Sequence, residues 1–412
     1  MHMKKTIIFF VILLLTGLTV FAQAPDMSFY TDEYNRTGAT IFEMLDILQA
    51  VRDENLTGIG DFYLNAIRVY INRFPNFQHN HERAAIEESA RIILRGLAAE
   101  KYTEAAPYVW TLVQYFDIIH PQNEGLIMYE AYVAMGQIGG SEFAHYIAVH
   151  LGEFNSSATP DTHTKGKIQR VVPGAINALE ALRDPIGVKP VFYASIGWYD
   201  TDIRAIASQA LPNIIDDPGE IISEIIRDPF NGPNVKITAW QEMLKTKASN
   251  ASKAKVAAAA LETSYTFIAP SRESQSVLRA MRMSAIDTIR LMGVEDESVY
   301  AYIERTYREA FDTPNTDFEI ITLVVRTLST VKTEEAVDLL TEFLRGLHSR
   351  RQSGPWGIVE RDIMQIVIPA LASTGTRSRL SLQLLAVISR SSLYTGAEQN
   401  WARNALTTLS NN

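Results

Sequence analysis

Residues 201–217 read TDIRAIASQALPNIIDD. In that stretch Ile203, Ile206, Ala207, Ala210, Leu211, Ile214 and Ile215 fall at i, i+3, i+4, i+7, i+8, i+11 and i+12. That spacing puts all seven on one broad face of an α-helix, whereas a strand would need apolar residues at every second position. The stretch runs into Asp217-Pro218-Gly219-Glu220. An acceptor side chain, a proline with its φ already fixed and an acid in the first turn together mark the start of another helix.

Working outward, Ala178–Leu182 close a preceding helix before Arg183-Asp184-Pro185. A short helix over Val188–Ile196 and the tight turn Gly197–Asp202 then lead into Ile203. The same face pattern returns at Ile321, Val324, Val325, Leu328 and Val331, at Ala336, Leu340, Phe343, Leu344 and Leu347, and at Ile363, Ile366, Val367, Ala370 and Leu371. Thr316-Asp-Phe-Glu319 and Thr395-Gly-Ala-Glu398 fit the reciprocal capping box of a helix start. Pro212 and Pro369 stand at matching places near the ends of two of these helices, where proline kinks or stops the helix. Turns at Gly139-Gly140, Asp184-Pro185, Asp217-Pro218, Gly293, Lys332-Thr333 and Thr374-Gly375 recur at intervals of roughly 30 to 50 residues, with a less distinct turn near 245–252 in the widest gap.

A short outer helix, a turn carrying aspartate, and an Ala- and Leu-rich inner helix closed by glycine or Asp-Pro resemble the HEAT-like and armadillo-type helical repeats. Phycobilin lyases and many bacterial scaffolds contain repeats of this kind. The resemblance covers residues 125–227 and, more loosely, 278–389. It implies an all-α fold, a right-handed α-α superhelix of antiparallel helix pairs over 125–412, and it brings no catalytic residues with it. Before Gly125 the pattern predicts helices over about Arg36–Arg52, Gly60–Phe74, Arg83–Glu100 and Glu104–Ile119. Residues 25–124 are therefore read as an irregular helical cap for the repeats. Asn155–Lys167, Thr246–Ser252 and Ser349–Gly357 are polar and rich in Gly, Ser or Pro, and are expected to be surface loops.

The first 24 residues carry a different signal. Lys4 and Lys5 precede an apolar run from Ile7 to Leu15 that resumes through Phe21, and Ala22-Gln23-Ala24 supply small residues at the two positions a signal peptidase reads. This is the order of a secretory signal peptide cleaved after Ala24, and the run is short of the ~20 residues needed to span a bilayer. The 412-residue chain has no cysteine, so lipidation at the cleavage site, disulfides, zinc–thiolate sites and thiol nucleophiles are all excluded. Loss of Lys4 and Lys5 with the signal takes the net charge from −9 to −11. A chain this acidic is not expected to take nucleic acid or an anionic membrane as its main partner. The expected location is the periplasm or the exterior, with no transmembrane or lipid anchor after cleavage.

Motifs for catalysis, cofactors or metals do not emerge. There is no H-E-x-x-H, G-x-S-x-G or P-loop, and His145 and His150 are five apart, on different faces of a helix. His79 and His81 fall in a loop. The densest acidic spots, Asp216-Asp217 and Glu295-Asp296-Glu297, stand at helix boundaries, where carboxylates favour the positive end of the helix dipole. No catalytic residue, cofactor or metal is therefore expected. The side chains singled out for partner contact are Trp198 and Tyr199 in a tight turn, Trp356 after Gly354-Pro355, and the basic Arg350 and Arg351. Exposed aromatics and arginines are frequent anchors at binding surfaces. Trp240 and Trp401 lie on helix faces and are expected in the core. The expected function is an exported, non-enzymatic scaffold that binds a protein partner in the cell envelope. The alternative is an all-α toroid hydrolase that cleaves polysaccharide or peptidoglycan with a carboxylate pair.

Overall fold

The computed structural model describes residues 27–77, 79–116, 124–157, 161–312, 316–354 and 356–411. The stretch read as a signal peptide, with Ala22 and Ala24, lies outside the described residues, as do Pro355 and positions 117–123. Among the described residues there are twenty α-helices and no strand. The chain is an all-α protein built from repeated helix pairs. It divides into two compact units, one ending at Ile214 and the other beginning at Ile215.

In the first unit the pairs are α1 (Ser28–Asn35) with α2 (Ile41–Asp53), α3 (Gly60–Arg73) with α4 (Arg83–Glu100), α5 (Ala106–Tyr115) with α6 (Leu126–Ile138), α7 (Ser141–Ser156) with α8 (Thr162–Leu182), and α9 (Val188–Ile196) with α10 (Thr201–Ile214). Each even-numbered helix packs on the next even one, so α2, α4, α6, α8 and α10 form a continuous layer. The odd-numbered helices lie over them. Two glycines set the closest approach in the even layer. A Cβ on Gly136 of α6 would stand 2.9 Å from Ala178 Cα of α8, and one on Gly174 of α8 would stand 2.7 Å from the Tyr129 carbonyl of α6. Only glycine lets these two backbones come together, and the contact buries Ala131, Met135, Ala175 and Leu179 between them.

The second unit repeats the plan. Its pairs are α11 (Gly219–Arg227) with α12 (Pro233–Lys245), α13 (Asn250–Thr266) with α14 (Arg272–Met292), α15 (Val299–Asp312) with α16 (Phe318–Val331), α17 (Glu334–Ser353) with α18 (Ile358–Ser373), and α19 (Arg379–Arg390) with α20 (Gly396–Asn411). Even-numbered helices again stack in sequence. Helix α13 is buried on every side over Val256–Leu261, because its run of alanines lets α11, α14 and α15 all close on it. Turns of neighbouring pairs lock together through side chains. Lys236, buried at the start of α12, donates through Nζ to the Ile226 carbonyl at 2.6 Å and the Asp228 carbonyl at 2.5 Å. Its ammonium also lies 5.0 Å from the Phe267 ring at the end of α13. A cation on the last carbonyls of α11 complements the negative end of that helix.

Repeat starts are spaced from 31 residues (Val188 to Gly219) to 49 (Asn250 to Val299), which matches the interval expected from the turns. Three helices carry proline in their interior, Pro173 in α8, Pro212 in α10 and Pro369 in α18, all in even-numbered layers. Trp240 is buried, with its indole N–H donating to Ser284 Oγ at 3.0 Å, while Trp401 is half-buried.

Several boundaries differ from the sequence reading, each for a local reason. Helix α2 begins at Ile41 rather than near Arg36, because Thr40 and Glu43 form a capping box: Glu43 N–H donates to Thr40 Oγ1 at 3.3 Å and Thr40 N–H to Glu43 Oε2 at 2.7 Å. The Thr40 N–H and the Arg36 guanidinium hold the Glu43 carboxyl well below the usual range, to about 2. The expected loop over Asn155–Lys167 is helical to Ser156 and again from Thr162, where Asp161 Oδ1 accepts the Thr164 N–H at 2.7 Å. Ser249 caps α13 in the same way, which shortens the loop expected over Thr246–Ser252. Helix α17 runs through Ser353, well into the loop expected over Ser349–Gly357. The Thr395–Glu398 box forms as read, but α16 is capped by Asp317 rather than Thr316.

Candidate functional site

Helix α7, SEFAHYIAVHLGEFNS, shows two faces. Phe143, Ala144, Ile147, Ala148 and Leu151 are buried against the rest of the first unit. His145, Tyr146, Val149 and Glu153 point outward and form a ridge with open space on each side.

The larger space, a cleft of about 660 Å³, lies between α7 and α9. His145, Val149 and Gly152 line it from α7, Lys189 and Tyr193 line it from α9, and Ile186 closes it from the short 3-10 turn Pro185–Gly187. That turn forms because Asp184 Oδ1 accepts the Ile186 N–H at 3.0 Å, leaving the Ile186 side chain outside the core. Gly152 sits in the middle of a helix with no atom within 4 Å of where a Cβ would be, so the absence of a side chain there keeps the floor of the cleft open. Among the described residues Lys189 is the only Asp, Glu, Lys or Arg on the wall, and it makes no ion pair with any of them.

A second space of about 510 Å³ separates α7 from α5. Trp110 of α5 stacks on Tyr146 at 5.4 Å and approaches His150 at 5.2 Å, and Gln114 and Glu153 complete the wall. His150 in turn shares a hydrogen bond of 2.8 Å with the Tyr132 hydroxyl. His145 and Val149 border both spaces. Tyr146, Val149 and Ile186 are 48%, 45% and 40% exposed, a concentration of apolar surface that the fold itself leaves uncovered.

Trp198 and Tyr199, chosen from the sequence as contact residues, frame this cleft rather than face it. The Trp198 indole N–H donates to the Phe154 carbonyl at 3.1 Å, and the Tyr199 hydroxyl donates to Asn155 Oδ1 at 2.9 Å. The Asn155 amide donates onward to the Pro190 carbonyl at 2.8 Å. Together these bonds tie the end of α7 to both ends of α9 and fix the width of the cleft. The two rings pack on each other at 4.4 Å, Lys165 lies 5.7 Å from the Trp198 ring, and burial raises the Tyr199 pKa.

The other three sequence candidates belong to the second unit and join consecutive repeats. Arg350 pairs with Asp312 at 2.7 Å and lies 4.0 Å over the Phe311 ring. Arg351 donates to the Leu393 carbonyl at 2.7 Å and sits 5.0 Å over Trp356, whose indole N–H donates to Glu398 at 3.3 Å. All three are held by their own chain. Two acidic spots likewise serve helix starts. Asp217 Oδ1 accepts from Gly219 N–H at 3.0 Å and Ser252 Oγ at 2.6 Å, and Asp296 Oδ1 accepts from Ser298 N–H at 2.9 Å. His79 and His81 stack at 5.5 Å beside a capping contact to Glu82.

Sequence reasoning passed over Tyr146, Val149, Gly152, Ile186 and Lys189. The available signal was a helix with apolar residues off its buried stripe and a glycine in its interior. No protein-family model, curated protein or solved structure matches this chain. No helix among the described residues is long and apolar enough to cross a membrane.

Proposed function

We propose that this chain is an exported HEAT-like helical-repeat scaffold that docks a protein partner in the cell envelope, and that the cleft beside α7 is where the partner binds. One observation carries the reading. Exposed Val149 and Ile186 line a preformed cleft of about 660 Å³ whose walls are tied by the hydrogen bonds of Trp198, Tyr199 and Asn155, and exposed Tyr146 stands on the ridge beside it. Sites that bind side chains or small ligands are concave, mainly apolar and largely preformed, with a few polar groups fixing orientation. The export part rests on Lys4, Lys5, the apolar run and Ala22-Gln23-Ala24. Asp217 and Asp296, among the acids a hydrolase would draw on, are engaged at helix starts, which favours binding over the hydrolytic alternative.

The test places a photo-crosslinking amino acid at Val149 and, as a control, at Leu291 of the second unit, in the full chain expressed in its own envelope. The expected result is a discrete protein adduct from position 149 alone, lost when Gly152→Leu fills the cleft. An adduct equally strong from position 291, or one indifferent to Gly152→Leu, would place the partner elsewhere. Recovery of the unprocessed chain in the cytosol would overturn export.

A further inference from the structure

Resting on that reading, we infer that the cleft between α7 and α9 takes the carboxyl-terminal end of a partner polypeptide, its last apolar side chains in the cleft and its free α-carboxylate on Lys189.

Charge selects the ligand chemistry. On a chain with 47 acidic and 38 basic residues, the one formally charged group among the described residues of the cleft wall is a cation. Several arginines of this unit are paired, Arg36 with Glu43, Arg83 with Glu124 and Arg95 with Glu130, while Arg73 is spent on backbone carbonyls and Arg68 on the Tyr108 ring. Lys189 has no carboxylate within ion-pair distance among the described residues, and Glu153 on the outer face of α7 lines the other cleft. An apolar cleft with a single unpaired ammonium complements an apolar body carrying one negative charge.

Size selects the form of the ligand. One turn of an α-helix with its side chains fills roughly 500 Å³, given a diameter of 10–12 Å and a pitch of 5.4 Å. The cleft is only slightly larger, so it has room for the last two or three residues of a tail. Asn155 is committed to Pro190 and Tyr199, which leaves the Lys189 ammonium, with the His145 imidazole also on the wall, to meet the charge.

The experiment titrates the mature protein with an N-acetylated tripeptide of leucine, leucine and phenylalanine, once as the free acid and once as the carboxamide. Decanoate is titrated in parallel, and binding is read by calorimetry. The expected result is that the free acid binds at least about tenfold more tightly than the amide. That preference should shrink with added salt and vanish in Lys189→Met, an exposed position whose replacement leaves the fold intact. Equal binding of acid and amide would overturn the carboxylate assignment while leaving the apolar cleft as a binding site. Binding of decanoate without either peptide would overturn the polypeptide tail in favour of a free apolar acid. Binding of none of the three would overturn the inference outright. The crosslink from position 149 then decides separately whether a partner docks at this cleft at all.

Discussion

The Tyr199 hydroxyl donates to Asn155 Oδ1 at 2.9 Å across the end of α7, and Asn155 spends its amide on the Pro190 carbonyl at the start of α9. A turn residue of one helix pair thus sets the spacing of two neighbouring odd-numbered helices. Tyr199→Phe deletes one hydrogen bond at a buried position and is expected to cost about 1 kcal/mol of stability. Asn155→Ala releases both helices and should cost roughly 1–3 kcal/mol, since it leaves the buried tyrosine hydroxyl unpaired. Denaturant midpoints followed by circular dichroism measure both. Hydrogen exchange should show the α9 amides losing protection first.

Gly152 offers a prediction of opposite sign. A helix-interior glycine costs about 0.5–1 kcal/mol relative to alanine, and a Cβ at this position meets nothing within 4 Å. Gly152→Ala should therefore raise stability by about that amount in thermal or urea unfolding. No gain would show that the helix is frayed there, contrary to its packing against α8 and α9.

Lys236 is a buried cation whose bonds all go to carbonyl oxygens at the end of α11 and to the face of Phe267. Lys236→Met keeps the volume but leaves those carbonyls without their donor, at an expected cost of roughly 2–3 kcal/mol. A smaller loss in urea unfolding, below about 0.5 kcal/mol, would mean that water replaces the ammonium.

His348 couples the second unit to pH. Burial lowers its pKa, and its Nδ1 shares a 2.7 Å hydrogen bond with the Tyr394 hydroxyl. A histidine whose pKa is depressed on folding takes up its proton more readily when unfolded, so stability is full above about pH 6.5 and declines as pH falls below it. His348→Gln is expected to flatten the part of the decline that begins below about pH 6.5. An unchanged slope in unfolding midpoints across that range would assign the decline to other groups.

The helix-pair repeat was legible in the sequence because a helix buries one face, and a buried face writes itself as residues three and four apart. Ile203 through Ile215, Ile321 through Val331 and Ile363 through Leu371 all carry that record, and Asp184-Pro185 and Asp217-Pro218 mark turns that local chemistry alone dictates. Boundaries slipped where a cap such as Asp161 or Ser249 began a helix inside a polar stretch, since polar composition describes a loop and a cap equally well. Trp198 and Tyr199 were recognisable as unusual residues for a tight turn, yet nothing local to them indicates that their polar atoms reach Phe154 and Asn155, 44 residues earlier. Whether an aromatic ring in a turn faces solvent or folds back depends on which helix lies beside it, and only the stacking of pairs decides that. For the same reason the cleft itself belongs to the tertiary structure. Val149, Gly152, Ile186 and Lys189 become a site only when α9 settles next to α7 and leaves between them a space that neither helix contains alone.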